Sequence, residues 1–298
     1  MPTSRKNITE VTQFIRSMRG GSQSILVKAS NGLDYVAKFT NNLQGPNLSF
    51  NEGAGSELYR ACGLPVPFWT PLLITDRFLD DNPACWIQTP EGRLRPATGL
   101  CFGSRFLGTE GSRIVQILPE LMFKRIKNRA SFWEAWMVDI CAEHADDRQA
   151  VFLQDARGWW KAFFIDHGHL FGGPKGDMQS HPQESLSLDP RIYPDIVSER
   201  TPDASHLSRI LNVDILWRKV QNMPQDWKTK SALDSFARCL DRLSCPDTLQ
   251  GIFDNMVDEL KKRRNIKSGF VKNERKPVMR SDFAEAQAES SRTALQNR

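Results

Sequence analysis

The chain has 298 residues, of which 40% are hydrophobic, and a formal net charge of +5. No window holds the ~20 uninterrupted apolar residues of a membrane-spanning helix, and the polar start MPTSRKNITEVTQFIRS lacks the apolar segment of a secretory signal. Six cysteines without a CxxC pair indicate reduced thiols and argue against a structural zinc site. We therefore expect a cytoplasmic protein with no membrane contact.

The positive charge is concentrated near the C-terminus. Residues 261–280 hold nine Lys or Arg and one acid, a local charge of +8, so the rest of the chain carries −3. Such a run is usually a solvated end, and Phe270 is its one aromatic residue, so we expect at most weak binding of nucleic acid there. The polar stretch that follows has no core face, and we expect 266–298 to be a disordered tail.

In chain order, the sequence predicts strands first. Residues 8–18 have loose helical spacing, which predicts a short helix. The dipeptide Asn31-Gly32 joins the apolar runs SILVKA and DYVAKFT, and this dipeptide is typical of a β-hairpin. A polar loop then leads to a predicted helix over about 49–62, which a glycine and a proline end.

Helices dominate the second half. Before them, PFWTPLLITD, DDNPACWIQ and GLCFGSRFLG predict a strand, a short helix or turn, and another strand. The run FKRIKNRASFWEAWMVDICAEH predicts an amphipathic helix, AVFLQDARGWWKAFFID predicts a second hairpin, and residues 205–264 read as mostly helical. Strands first and helices later is an α+β pattern, with a boundary near 107–112.

Lys38 lies among apolar neighbours in the first hairpin, after the small-residue turn at 20–22. Period-2 alternation places it on the face opposite to Ala37 and Phe39. It is either a solvated charge on an edge strand or a cation that reaches phosphate oxygens. Glu52, in the next helix, either complements the helix dipole or pairs with Lys38 and fixes its direction.

Acidic residues stand at both ends of the second hairpin. The stretch HADDRQ at 144–149 precedes it, and Asp166 follows it. An antiparallel hairpin brings its ends together, so Asp166 should face Asp146. Two adjacent carboxylates repel unless a cation bridges them or one is protonated, and phosphoryl transfer uses such a pair for the hydroxyl nucleophile and for Mg²⁺. The alternative is an Asp-rich surface turn with Arg148 as its ion-pair partner.

Histidines bracket Gly168 on the same loop. His167 and His169 could suggest a metal site, but with Asp166 as the one other nearby ligand a structural role is favoured.

Five stretches carry a resemblance to a known family: GGSQSILVKASNGLDYVAKF, NNLQGPNLSFNEGAGSELYRACGLPVP, FGSRFLG, ADDRQAVF and FIDHGHLFG. In these the chain resembles the HipA-like kinases, in the compact branch that lacks the N-terminal subdomain of the HipA toxins. The resemblance implies a two-lobed, protein-kinase-like α+β fold with ATP between the lobes. A small antiparallel-sheet N-lobe would span 1–108 and a mainly helical C-lobe 109–265.

The resemblance also implies roles for individual residues. Lys38 would contact the nucleotide phosphates and Glu52 would orient it, while Asp146 would be the catalytic-loop acid and Asp166 a ligand of Mg²⁺. The implied residues are, for catalysis, Lys38 and Asp146; for the nucleotide, Gly20, Gly21, Ser22, Ser24, Lys38 and Glu52; and for the metal, Asp166. Apart from the resemblance, we expect Arg148 to take part in catalysis and Gln149 to offer the metal a neutral oxygen ligand.

The sequence departs from the family pattern in the catalytic loop. His144 stands two residues before Asp146, where Asn is common, and Val151 stands where kinases place a second metal-binding Asn. Asp147 is the alternative catalytic acid. The sequence thus predicts an ATP- and Mg²⁺-dependent phosphotransferase that acts on Ser or Thr of a protein, or on a small molecule. The alternative is a weak or inactive pseudokinase that binds a nucleotide and a partner.

Overall fold

The computed structural model describes residues 8–18, 20–108, 112–176, 190–193 and 203–273, with side chains up to residue 262. Its strands are β1 Thr9–Ser17, β2 Ile25–Ala29, β3 Asp34–Lys38, β4 Trp69–Ile74, β5 Ile87–Thr89, β6 Gly92–Leu94, β7 Gly99–Arg105, β8 Ile114–Val115, β9 Gln149–Gln154 and β10 Trp160–Ile165. Its α-helices are α1 Leu48–Ala61, α2 Asp76–Asp81, α3 Ser131–Cys141, α4 His206–Ile210, α5 Val213–Gln221, α6 Lys230–Leu243 and α7 Pro246–Asn273.

The N-terminal strands form a closed barrel in the order β1-β2-β3-β7-β4. Neighbouring strands are antiparallel except β1 and β4, which are parallel, so the predicted antiparallel sheet is closed by one parallel pairing. Closure leaves no exposed sheet edge. The barrel interior is filled by fully buried side chains such as Val27, Tyr35, Phe39 and Leu72.

The prediction of a helix over residues 8–18 is wrong, because this segment is strand β1. Its pairing with β2 is irregular between Val11 and Gln13 and again between Phe14 and Arg16. Such bulges insert an extra residue and break the two-residue alternation of a strand. The apolar residues therefore recur at a spacing that resembles a helix.

Both predicted hairpins are confirmed. β2 pairs with β3 around a turn in which Gly32 has a φ of 78°, and β9 pairs with β10. The predicted helix over 49–62 corresponds to α1, which ends in a Schellman motif: the amides of Gly63 and Leu64 donate to the carbonyls of Arg60 and Tyr59.

Two predicted segments differ in detail from the structure. In the amphipathic run that starts at Phe123, the α-helix begins only at Ser131. The first residues of this run belong to a 3-10 helix over residues 120–125. In the run DDNPACWIQ, a helix ends at Asp81 and strand β5 follows, paired with β6.

α1 is buried on all sides, with every residue from Leu48 to Tyr59 buried. A helix buried all round requires partners on every face. Its outer face meets the helical C-terminal half, where Phe50 packs edge-on against Phe171 and Phe236. The fold is α+β, with a sheet-rich N-terminal region and a helical C-terminal region, as predicted.

The chain divides into a compact unit, Met1–Val257, and a second unit, Asp258–Arg298. Helix α7 continues through residues 266–273, which were predicted to be disordered, and 274–298 lie outside the described residues. In the part of the chain that the structure describes, no helix combines the length and apolar character needed to cross a bilayer.

Candidate active site

The barrel, α1 and the β9–β10 hairpin enclose a cavity of about 760 Å³. This volume falls within the range typical of small-molecule sites, roughly 300–1,000 Å³. The cavity wall contains the predicted site residues with the exception of Arg148: Gly20, Gly21, Ser22, Ser24, Lys38, Glu52, Asp146, Gln149 and Asp166.

Lys38 joins two carboxylates on the cavity wall. Its Nζ lies 2.6 Å from Oδ1 of Asp166 and also donates to Oε1 of Glu52. Burial alone would lower the pKa of Lys38, but the two carboxylates raise it well above its ordinary value. Lys38 is 7% exposed, so it is a buried cation held in direction by an ion pair rather than a solvated edge lysine.

The two acids differ in their environments. Burial raises the pKa of Glu52 above its ordinary value, although Lys38 and the amides of His167 and Gly168, which donate to its carboxylate at 3.2 and 3.1 Å, partly offset this. Burial would also raise the pKa of Asp166, but the charge of Lys38 outweighs it and the pKa lies below its usual range. Asp166 therefore presents an ionised carboxylate to the cavity at neutral pH.

Asp166 lies where β10 ends, in a left-handed backbone conformation with a φ of 60°. Aspartate tolerates this region better than most residues, but the conformation is still strained. The strand delivers the carboxylate to the cavity, and the reversal at Asp166 directs the following residues onto α1.

The small-residue turn between β1 and β2 forms one end of the cavity. Gly20 has a φ of 126°, which only glycine adopts readily, while a Cβ there would contact nothing within 4 Å. The amide of Met18 donates to the carbonyl of Ser24 at 2.8 Å and closes the turn. Asn42 further fixes the turn by donating to the carbonyl of Ser22.

The loop between α3 and β9 places its two aspartates differently. Asp146 is half-buried on the cavity wall, and its Oδ1 accepts the amide of Asp147 at 2.8 Å. Asp147 is exposed and does not line the cavity. This geometry favours Asp146 over Asp147 as the acid that meets a bound molecule, and Gln149 lies on the same wall.

Arg148, which we predicted to act in catalysis, lies beneath the cavity rather than in its wall. Its Nε and Nη2 donate to the two oxygens of Asp139 at 2.8 and 2.6 Å, and its Nη1 donates to the carbonyl of Ile165 at 2.9 Å. Both side chains are inaccessible to solvent, and Tyr59 donates to Asp139 from the other side. A guanidinium engaged in this way supports the loop from beneath the cavity.

The three histidines near the site are not arranged as a metal cluster. His144 and His167 are buried, and burial followed by the charge of Arg148 lowers the pKa of each well below its ordinary value. Among the described residues, no group of three or more His, Cys, Asp or Glu could hold a metal ion. Among the oxygen-bearing side chains on the cavity wall are those of Asp166, Gln149 and Asp146.

Sequence analysis did not identify Gln44 or Asn51 as residues of the site, and it favoured a structural role for His169. Nε2 of His169 lies 3.3 Å from Nε2 of Gln44, and this pair lines the cavity between the barrel and the loop after Asp166. Asn51 contacts the same loop from α1. No sequence signal distinguishes Asn51 from the other polar residues of α1, such as Ser49 and Ser56.

No family model matches the chain, and no curated protein matches it. Among solved structures, the chain is similar to the proinflammatory kinase CtkA of Helicobacter pylori, with 12% identity, a TM-score of 0.49, and coverage of 83% of this chain and 96% of that one. It is also similar to the Golgi casein kinase, with 12% identity, a TM-score of 0.48, and coverage of 83% and 74%. For the same kinase with Mn/ADP bound, the identity is 12% and the TM-score is 0.49, with coverage of 83% of this chain and 73% of that one. Similarities of this size define neither a family nor an activity for this chain, so the HipA-like relation remains a prediction.

Proposed function

We propose that this chain is a phosphotransferase that uses ATP and Mg²⁺ to phosphorylate a hydroxyl group. The observation that carries the proposal is the Lys38 ammonium, held between Glu52 and Asp166 on the wall of the cavity. A fixed cation and an ionised acid beside a glycine-containing turn are recurring parts of sites that transfer phosphoryl groups.

The nucleotide would lie along the barrel side of the cavity. Lys38 and the backbone amides of the turn at 20–24 would contact phosphate oxygens, since consecutive amides in such turns form anion-binding concavities. Val36, Phe106 and Leu107 line the cavity and offer apolar surface for a base.

The residues present fit a magnesium ion shared with phosphates. Mg²⁺ is usually held by one or two carboxylates together with substrate phosphates and waters, not by an all-protein cage. Asp166 would hold it, with Gln149 as a neutral oxygen donor. When bound, the ion neutralises charge on the transferred group.

Asp146 would orient the acceptor and take its proton. The acceptor oxygen forms a bond to the γ-phosphorus, the bond from that phosphorus to the β–γ bridging oxygen breaks, and ADP leaves. The hydroxyl proton passes to Asp146 and then to solvent. We propose Ser or Thr of a protein in the cytoplasm as the acceptor; a small-molecule hydroxyl is the other candidate.

A second candidate function is a nucleotide-binding pseudokinase. The observation that favours it is Val151 on the cavity wall, where a kinase would place a second oxygen ligand for metal. Such a protein would bind nucleotide through Lys38 and Asp166 without transferring phosphate.

The test is transfer of label from γ-labelled ATP, with Mg²⁺, by the full chain and its variants. We expect Asp146→Asn to lower transfer by about 10²-fold or more and Asp166→Asn to abolish metal-dependent transfer. Asp147→Asn is the matched control, since this neighbour does not line the cavity, and should retain activity. Transfer that survives Asp166→Asn would overturn the proposal. ATP binding without transfer, weakened by Asp166→Asn, would indicate the pseudokinase.

A further inference from the structure

The side chain of Asn51 is fully buried between α1 and the loop that follows Asp166. Its Nδ2 lies 2.9 Å from the carbonyl oxygen of Gly168, 2.7 Å from that of Leu170 and 3.1 Å from that of Gly173. The orientation of the amide follows from these neighbours, because carbonyl oxygens only accept hydrogen bonds. The two N–H groups of this one side chain are thus directed at three backbone acceptors of a single loop.

Glu52, the next residue of α1, contacts the same loop as a hydrogen-bond acceptor, whereas Asn51 is a donor. Its carboxylate accepts the backbone amides of His167 and Gly168. Two consecutive helix residues therefore contact both backbone N–H donors and backbone carbonyl acceptors within residues 167–173. The helix could not do this from a distance, since the asparagine side chain is short.

Two glycines allow the close approach. A Cβ on Gly55 would lie 2.6 Å from Cβ of His167, and one on Gly168 would lie 2.4 Å from Cδ1 of Leu48. Both separations are shorter than real Cβ contacts, so the backbone of each glycine packs directly against side chains of the opposite segment.

The loop held in this way contains unfavourable backbone conformations. Asp166 and Phe171 have φ values of 60° and 57°, although neither is glycine. Each such residue adds about 1–3 kcal/mol of strain and persists only where the surroundings enforce it. The hydrogen bonds from α1 are among the contacts that enforce them, together with the Lys38–Asp166 ion pair and the amide of Phe171, which donates to the carbonyl of Ala142 at 2.6 Å.

From this geometry we infer that Asn51 is a positioning residue, which keeps the Asp166 carboxylate in place for a divalent cation by holding the loop behind it. The inference rests on the proposed function, because it concerns the metal affinity of that site. Loss of the amide donor would let the loop relax and Asp166 withdraw from the cavity.

The test compares Asn51→Asp with wild type by two readouts that need no turnover. Aspartate has the same size but offers no N–H to the three carbonyls, and near the start of α1 a negative charge does not disfavour the helix. We expect binding of Mn²⁺ in the presence of ADP, measured by electron paramagnetic resonance, to weaken about 10–100-fold, as for lost second-layer contacts at metal sites. In the metal-free protein, the amides of 167–173 should exchange hydrogen faster.

Two further variants make the result decisive. Ser49→Ala removes another buried polar group of α1, one without a hydrogen-bond partner, and should change neither readout. Asn51→Ala removes the donor without adding a charge and should behave like Asn51→Asp. Wild-type Mn²⁺ affinity and wild-type exchange in folded Asn51 variants would overturn the inference. Absence of Mn²⁺·ADP binding by wild type would instead overturn the proposed function.

Discussion

Two buried ion pairs meet near the end of β10, and they act differently. Lys38 and Asp166 face the cavity, where a bound nucleotide and metal would share them. Arg148 and Asp139 are both inaccessible to solvent, and their oxygens and nitrogens are engaged with protein. The first pair belongs to the site and the second belongs to the framework under it.

Removing one partner of the framework pair should destabilise the fold strongly. In Arg148→Met the Asp139 carboxylate stays buried with only the Tyr59 hydroxyl as a side-chain partner, and breaking such a pair typically costs about 3–5 kcal/mol. Because burial already raises the pKa of Asp139, the folded variant should take up a proton more readily than the unfolded chain. Its loss of stability should thus be larger at pH 7 than near pH 5, as urea denaturation at both pH values would show.

The double variant Asp139→Asn with Arg148→Met provides the control. It removes the buried charge along with its partner, and Tyr59 can still donate to the asparagine oxygen. We expect it to be clearly more stable than Arg148→Met alone. Equal stability of the single and double variants would show that the unpaired carboxylate is not the cause.

At the level of single residues, the sequence indicated the side chains that line the cavity better than those that support them from behind. Lys38 and Asp166 could be predicted because each places a charge at the end of an apolar strand. The part played by Arg148 could not, because its partner Asp139 lies in α3 and resembles any polar residue of an amphipathic helix. Asn51 acts on backbone carbonyls, and such contacts leave no pattern in side-chain chemistry.

At the scale of elements, α1 carries glycines in positions where a helix would ordinarily prefer alanine. In Gly55→Ala the new Cβ would collide with Cβ of His167 and Cδ1 of Leu170, each 2.6 Å away. We expect a net destabilisation of about 1–3 kcal/mol, as for other overpacked cores, although alanine favours a helix by roughly 1 kcal/mol. Thermal unfolding of the variant would measure it.

Gly251→Ala is the matched substitution in α7. A Cβ at this position would meet nothing within 4 Å, so only the helix preference remains and the variant should gain about 0.5–1 kcal/mol. Opposite signs for the two glycines are the expected result. A stabilising Gly55→Ala would mean that α1 and the loop after Asp166 are not in close contact.

Elements were predictable where one local signal dominates. Asn31-Gly32 specified the first hairpin and Gly63 specified the end of α1, because each meets a backbone requirement that few residues meet. Strand β1 was not predictable from its spacing, because its bulges erase the alternation. Its place in the barrel also depends on a parallel pairing with β4, through contacts such as Thr9 with Leu72.

At the scale of the whole molecule, the helical half returns to the barrel and α1. Lys219 in α5 pairs with Glu57 at 2.6 Å, and Nε1 of Trp227 donates to the carbonyl of Leu100 in β7 at 3.2 Å. α1 therefore has neighbours on both sides, and its burial depends on residues far along the chain. The Lys38–Glu52 pair is held by this arrangement, since α1 carries Glu52.

The dependence of α1 on residues far along the chain also provides a test of the predicted boundary between 1–108 and 109–265. The fragment 1–108 keeps the barrel strands but loses the partners of α1, so Phe50 and Tyr59 would be exposed without Phe171, Phe236 and Phe164. We expect this fragment to lack near-ultraviolet circular dichroism and a cooperative thermal transition, whereas 1–257, the compact unit, should show both. Cooperative folding of 1–108 would make the predicted N-lobe a self-sufficient domain, and α1 would then need no helical partner to present Glu52 to Lys38.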